Sequence, residues 1–444
     1  MCRIDPLFCI LSAIESFYWS YVGFTVVIAA GLYFSFRSGF YQFKVLAHPI
    51  RTIKAVQKSS EGREGGISPF RVYFASVGGM VGLGNIVGVV TAVTLGGPGA
   101  LFWLWIASFF GMLIKYAEIY LGMKFRIKDE QGYHGGPMIY LRKAFQTPIL
   151  AKVIPIIYCS LLAIYGVEVY QFVVITDVLT DVSSLSRPLI LAGILAITLY
   201  GGFGGIRRLA NISTALMPPF IVGYILLSLY VIGMHITILP SVLADVFRAA
   251  FTGHAAMGGF AGSSMLMAIQ LGTARAVYSG DLGIGYDSII QSESKAKDPA
   301  TQACLSIFGV ATDGIVCTMS ILVVLVTGIW QTPVEACHAV SHAFTQFFPH
   351  VDIFMALLIF IAGYTTVIAY LTVGEKAMRW LFPQWGRRFY FIYATCAFIV
   401  FSFLDQCHVM TVMMLSGGLL MLTNLLGIWK LRHEVIFKKE LIER

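Results

Sequence analysis

The sequence predicts an all-α protein that crosses a membrane many times. Three observations carry that prediction. Hydrophobic residues make up 57% of the 444-residue chain and charged ones only 12%, where a soluble protein carries about 25% charged residues. Apolar runs near the ~20 residues needed to cross a bilayer recur along the whole length. The basic residues, which give a net charge of +8, gather in alternate loops between those runs. That pattern sets orientation in a membrane and leaves no reason to invoke a nucleic-acid partner.

Eleven apolar windows read as spans: roughly 17–39, 73–95, 99–124, 150–178, 187–204, 214–234, 255–285, 300–329, 352–374, 388–404 and 408–429. With the N-terminus outside, 26 of the 31 Lys and Arg residues fall in cytoplasmic loops or the tail. Arg3, Arg187 and Arg248 lie outside, and Lys115 and Arg275 lie within spans. The positive-inside rule therefore puts the N-terminus outside and the C-terminus in the cytoplasm. The expected location is a bacterial-type inner (plasma) membrane, with lipids as the surroundings and no obligate protein partner implied.

Residues 1–72 hold span 1 and a basic cytoplasmic loop, 73–234 and 255–429 hold five spans each, 235–254 form an outer linker, and 430–444 form the tail. Within the linker, "ILPSVLADVFRAAF" (238–251) is amphipathic enough to lie along the outer surface, and "GYHGGPMIYLRKAF" (132–145) can do the same inside. The N-terminal residues lack the pattern of a cleaved signal peptide. The eight cysteines are scattered without metal-ligand spacing and read as buried small apolar residues.

Two spans are poor continuous helices. "GGMVGLGNIVG" (78–88) places five glycines and the polar Asn85 inside span 2, and each glycine costs a helix about 1 kcal/mol relative to alanine. "GTARAVYSGDLGIG" (272–285) puts four glycines, Ser279 and Asp281 inside span 7. Close helix packing through small residues explains such glycines in part, since Gly78–Gly82 and Gly84–Gly88 fit that spacing. The polar residues favour true breaks, because non-helical backbone at membrane depth is tolerated where it is buried in protein or lines a polar cavity. Freed half-helix ends then offer amides to an anion and carbonyls to a cation. If span 1 is an addition, both breaks open a five-span half, and odd-numbered halves insert with opposite topology. Interrupted segments at matching positions of two halves point to the site of a secondary transporter.

Several blocks carry a family resemblance: "VGLGNIVGVVTAVTLGGPGALFWLWIASFFGMLIKYAEIYLGMKFR" (81–126), "GGPM" (135–138), "GGFGGIRRL" (201–209), "GTARAVYSGDLGIG" and "TTVIAYLTVGE" (365–375). In that order they resemble the alanine or glycine:cation symporter family. The resemblance implies a LeuT-type 5+5 inverted repeat plus one extra N-terminal helix, and sodium-coupled import of a small neutral amino acid such as alanine, glycine or D-alanine. By similarity, the amides of Leu83 and Gly84, near Asn85, meet the substrate carboxylate. Gln171 adds a side-chain amide, Tyr278 gates or packs the substrate, Asp281 sits in the second break, and Thr366 and Tyr370 line the opposite wall. Carbonyls of Gly78, Val81 and Ala362 with hydroxyls of Thr365 and Thr366 form the implied sodium site, a set of neutral oxygens suited to a hard cation. The chain departs from the family where Ser279-Gly280-Asp281-Leu282-Gly283 replaces "SNEAG", where Tyr370 stands for a usual Trp, and where Leu83 stands for a small polar residue.

Other buried charges are open to structural readings. Lys115 and Glu118, spaced i, i+3, can neutralise one another near the cytoplasmic end of span 3. Arg275 is a candidate inner-gate cation or partner of Asp281; Glu168 is open to a functional or a salt-bridged scaffolding role, Asp313 and Glu375 fit scaffolding better, and His254 lies at a water interface. A channel would require a symmetric filter, and the motifs of ATP-driven transport or hydrolysis are missing, so the chain is not read as an enzyme. Proton coupling, or a sensor that keeps the fold without turnover, are the alternatives to sodium symport.

Overall fold

The computed structural model describes residues 6–61, 65–129, 132–252, 265–332, 334, 336–348 and 351–438. His254, the opening of span 7 and Arg3, Arg63, Lys439 and Arg444 of the charge pattern lie outside those residues. Among the described residues, seven helical stretches are long and apolar enough to cross a membrane: Pro6–Ser38, Ala100–Lys124, Pro148–Val182, Gly205–Met234, Pro299–Val326, Val351–Leu381 and His408–Lys430. Helices Pro69–Met80 and Gly84–Gly96, bent by 45° at their junction, make an eighth candidate. The shorter helices Arg187–Gly202, Met265–Gly280 and Gly386–Phe401 lie on three further apolar windows.

Local chemistry sets these boundaries. Pro49, Pro69, Pro137, Pro148 and Pro299 each open a helix, where a missing N–H leaves nothing unsatisfied. Asp298 caps the helix that begins at Pro299 by accepting from the Thr301 N–H at 3.1 Å. Large apolar side chains such as Ile149, Ile392 and Phe403 point outward from the bundle, as suits helices that face lipid. The interior is close-packed: the helix Ala100–Lys124 lies against both Pro299–Val326 and Met265–Gly280. Gly272 permits the second of those contacts, because a Cβ there would run into the Ala100 carbonyl. It packs within a continuous helix and takes no part in the break.

The structure departs from the sequence reading in several places. The first helix starts at Pro6, ahead of window 17–39, and passes through a π-helical stretch at Tyr18–Gly23. The basic loop is itself helical over Tyr41–Ala47 and Pro49–Ser60. Strands Ile127–Asp129 and Gly132–His134 form a small antiparallel hairpin, so the chain is mostly and not wholly α, and 132–145 is helical only over Pro137–Ala144. The amphipathic linker is a helix, Leu239–Thr252, burying Val242, Val246, Ala249 and Ala250. Cys159, Cys304 and Cys317 are buried, but Cys9 and Cys396 are exposed, so burial does not hold for every cysteine. The apolar window 150–178 also proves to be two helices, Pro148–Tyr165 and Val169–Val182, with Glu168 between them in the left-handed region at φ 54°.

The segments flanking the two broken helices are tied together. Ile67 donates its N–H to the Glu293 carbonyl at 2.9 Å and accepts from the Lys295 N–H at 2.8 Å. Arg126 reinforces the junction by donating to the carbonyls of Ser292, Ser294 and Ala296 at 2.6–2.8 Å. The end of one broken helix is thereby registered against the end of the other.

Candidate functional site

In the first break, the helix Pro69–Met80 ends at Val81, whose ψ of 87° leaves helical space. A π-helical turn then runs from Gly84 to Gly88. The freed amides take side-chain acceptors: Gly82 donates to Asn85 Oδ1 and Leu83 donates to Gln171 Oε1, each at 3.0 Å. Gly82 has no room for a side chain, since a Cβ there would meet Thr366 Oγ1 and lie 2.6 Å from Gln171 Oε1. The glycine lets backbone approach the side chains of two other helices, which is what a backbone-lined site needs.

The second break begins after Gly280. Asp281 lies in the left-handed region at φ 50°, followed by Gly283 at φ 76° and Gly285 at φ 102°, before the short helix Tyr286–Gln291. The carbonyls released here are held by Lys115, whose ammonium donates to Gly280 O at 3.0 Å and Asp281 O at 2.9 Å. The same ammonium pairs with Asp287 at 2.8 Å, with both side chains buried. The expected Lys115–Glu118 pair gives way to this arrangement: a cation finds more acceptors at an open helix C-terminus than beside one carboxylate on its own helix. Glu118 instead faces Asn424, which donates to it at 3.4 Å.

Asp313 joins the two breaks. One of its oxygens accepts from Asn85 Nδ2 at 2.5 Å and the other from Ser279 Oγ at 3.1 Å, and Cys317 Sγ lies 3.2 Å from the same Asn85 nitrogen. The sequence reading treated Asp313 as scaffolding, yet it is the link through which the two interruptions meet.

Gln171 Nε2 donates to Glu168 Oε1 at 2.9 Å, and the Tyr278 hydroxyl donates to that oxygen at 2.7 Å. Tyr278 also lies across Gly84, where a Cβ would sit 3.2 Å from its ring. Tyr370 donates to Asp281 Oδ1 and stacks on Tyr286 with ring centroids 4.4 Å apart. Leu83, Gly84, Gln171, Tyr278 and Thr366 thus gather around Glu168, Asn85 joins them through Gly82 and holds Asp313, and Asp281 with Tyr370 forms a neighbouring pair two residues beyond Ser279. Tyr278, at 7%, is the most exposed of these side chains, so the site as folded is shut away from solvent. Arg275 does not partner Asp281: its guanidinium donates to the sulfurs of Met410 and Met414 at 3.3 and 3.5 Å.

The expected cation ligands divide. Thr366 Oγ1 lies 3.2 Å from Gly78 O and 3.0 Å from Ala362 O, which brings those three oxygens together. Thr365 Oγ1 bonds back to the carbonyls of Ile361 and Ala362 and touches Met217 Sδ at 3.4 Å. Val81 supplies the first non-helical backbone of the break. A further oxygen escaped the sequence reading: Ser213 Oγ is buried without a hydrogen-bond partner, 2.6 Å from where a Gly78 Cβ would be. The neutral oxygens that Gly78, Ala362 and Thr366 bring together are of the kind that suits a hard monovalent cation. Ser213 has no motif around it, so only the fold brings it beside Gly78.

The profile of the sodium:alanine symporter family matches residues 6–441. The chain belongs to that family. Among its relatives, an uncharacterized transporter of Haemophilus influenzae is 32% identical over 437 residues, covering 96% of this chain and 94% of its own length. The sodium/alanine symporter AgcS of Methanococcus maripaludis is 30% identical over 403 residues, covering 89% and 87%. The crystal structure of MhsT in complex with L-phenylalanine overlaps 81% of this chain and 89% of its own with a TM-score of 0.56. At 16% identity that likeness speaks for the fold alone. This member of the symporter family is accordingly an integral, multi-pass membrane protein.

Proposed function

We propose that the protein imports a small neutral amino acid together with sodium by alternating access, as a secondary active transporter. The observation that carries this reading is the meeting of two interrupted helices through Asn85, Asp313 and Ser279, beside the non-helical stretch at Gly82 and Leu83, whose amides bond to side chains in place of helix carbonyls. The names of relatives such as the sodium/alanine symporter AgcS support alanine and sodium as the first candidates. In this reading the chain has eleven spans: one N-terminal helix, then two five-helix repeats of opposite topology over 73–234 and 255–429, with the N-terminus outside.

The residues divide the work. The amides of Leu83 and Gly84 take the substrate carboxylate, with Gln171, Tyr278 and Asn85 around it and Tyr370 and Asp281 closing the far wall. Oxygens of Gly78, Val81, Ala362, Thr365 and Thr366, with Ser213 beside them, take sodium. Both ligands bind the closed core better than either open state, so their joint arrival favours passage between the two sides. An inward membrane potential adds about 2.3 kcal/mol per sodium charge for each 100 mV. Proton coupling is the second reading, favoured by the carboxylate oxygens of Asp281 and Glu168 that are buried without a partner.

The test is uptake of glycine, L-alanine, D-alanine and L-serine into proteoliposomes, each with and without an inward sodium gradient. Accumulation that follows the sodium gradient is expected. Accumulation that follows a proton gradient alone would replace sodium with the proton, and binding without uptake would make the protein a sensor.

A further inference from the structure

We infer that Glu168 binds the ammonium group of the substrate and thereby restricts the site to α-amino acids. The inference rests on the transport reading and deepens it by assigning a residue and a chemical requirement to the same pocket.

Glu168 occupies the interruption between Pro148–Tyr165 and Val169–Val182, at φ 54° and ψ 48°. A residue with a Cβ is strained there, and such strain persists where the surroundings hold it in place. The side chain is buried at 1% exposure. Its Oε1 accepts two hydrogen bonds, from Tyr278 and Gln171, while Oε2 has no partner. Among the described residues no ion pair includes it. The other buried acids of the site are better supplied. Asp287 holds the Lys115 ammonium and Asp313 has a donor on each oxygen; Asp281, like Glu168, keeps one oxygen without a partner, but it sits at the helix end whose carbonyls the Lys115 ammonium already caps. A buried carboxylate is stable as an anion only if a cation and further donors reach it. Glu168 has the donors and lacks the cation.

The Gln171 carboxamide shows what fits. Its oxygen lies on the Leu83 amide and its nitrogen on Glu168 Oε1, at 3.0 and 2.9 Å. It therefore spans the gap as an acceptor joined to a donor, in the same order as the carboxylate and ammonium of an α-amino acid. A zwitterion entering the gap would turn the Gln171 carboxamide aside to hydrogen-bond with it, set its carboxylate on the Leu83 amide and set its ammonium on Glu168, whose Oε2 is free to accept.

The test compares wild type with E168Q, which keeps an acceptor for Tyr278 and Gln171 but loses the charge. The probes are glycine, L-alanine, D-alanine and L-serine, each paired with the acid bearing a hydroxyl in place of the ammonium, as L-lactate pairs with L-alanine. Wild type should prefer the amino acid, and E168Q should lose roughly 10- to 100-fold of that preference, the range of a charge-assisted hydrogen bond. An unchanged preference, or an equal loss for both members of the pair, overturns the assignment. Isotope-edited infrared spectra of wild type give a second readout that needs no variant: the amino acid should shift a glutamate carboxylate stretch that the hydroxy acid leaves in place. No such shift also overturns it. Wild type that binds none of the amino acids contradicts the transport reading itself, whereas wild-type binding with an indifferent E168Q removes only the role of Glu168.

Discussion

Asn85 and Asp313 are joined by a 2.5 Å hydrogen bond from the amide nitrogen of the first to a carboxylate oxygen of the second. Asn85 belongs to the first break, and Asp313 holds Ser279 of the second on its other oxygen. Replacing Asn85 by alanine leaves a buried carboxylate oxygen without its donor, at a cost of about 1–3 kcal/mol. N85A should therefore lower the thermal midpoint in detergent and depress uptake together. A variant with wild-type stability and transport would show that the link between the breaks has no consequence.

The Lys115 ammonium is the built-in cap of the second break. K115M removes one partner of a buried ion pair, a loss of about 3–5 kcal/mol. Removing the opposing charge as well, in K115M/D287N, should recover part of that loss. Denaturation curves of the two variants decide the matter: if the single variant is the more stable, the ion pair is not the element that secures the break.

Much of this was legible in the chain and some was not. Glycine density with Asn85 located the first break, and Asp281 among Ser279, Gly280 and Gly283 located the second, because unfavourable residues in an apolar run leave a local signature. The Lys115–Asp287 pair was misread as Lys115–Glu118 because i, i+3 spacing is visible in sequence and a contact across 172 positions is not. Ser213 and Asp313 are single polar residues in apolar helices and Glu168 is one in an interruption of an apolar span, and only the packing of other helices around them gives them a role. Gly272 shows the reverse error: it looked like part of the break and serves helix packing.

Gly82 tests the close approach of backbone to substrate pocket. G82A directs a methyl group at Thr366 and Gln171, and overpacking of that kind costs about 1–3 kcal/mol. The expected result is a protein that still folds and binds its amino acid at least tenfold more weakly, a loss of about 1.4 kcal/mol. Titration calorimetry would detect it; unchanged affinity would place the substrate away from the first break.

The proposed cation oxygens predict a graded series. T365A should lower sodium affinity, and T366V should lower it further, since Thr366 Oγ1 reaches both Gly78 O and Ala362 O, whereas Thr365 Oγ1 bonds only within its own helix turn and to Met217. Q171A should weaken amino-acid binding without that direct effect on sodium. Sodium activation curves of uptake would separate the variants, and a larger sodium defect in Q171A than in T366V would reverse the assignment.

The most direct measurement is the affinity of the purified protein for its amino acid as sodium concentration is raised. If one site between the two breaks holds both ligands, the amino-acid Kd falls with sodium in wild type and loses that dependence in T366V, since the coupling is reciprocal. An amino-acid Kd that is the same at all sodium concentrations, with potassium keeping ionic strength constant, would contradict the account.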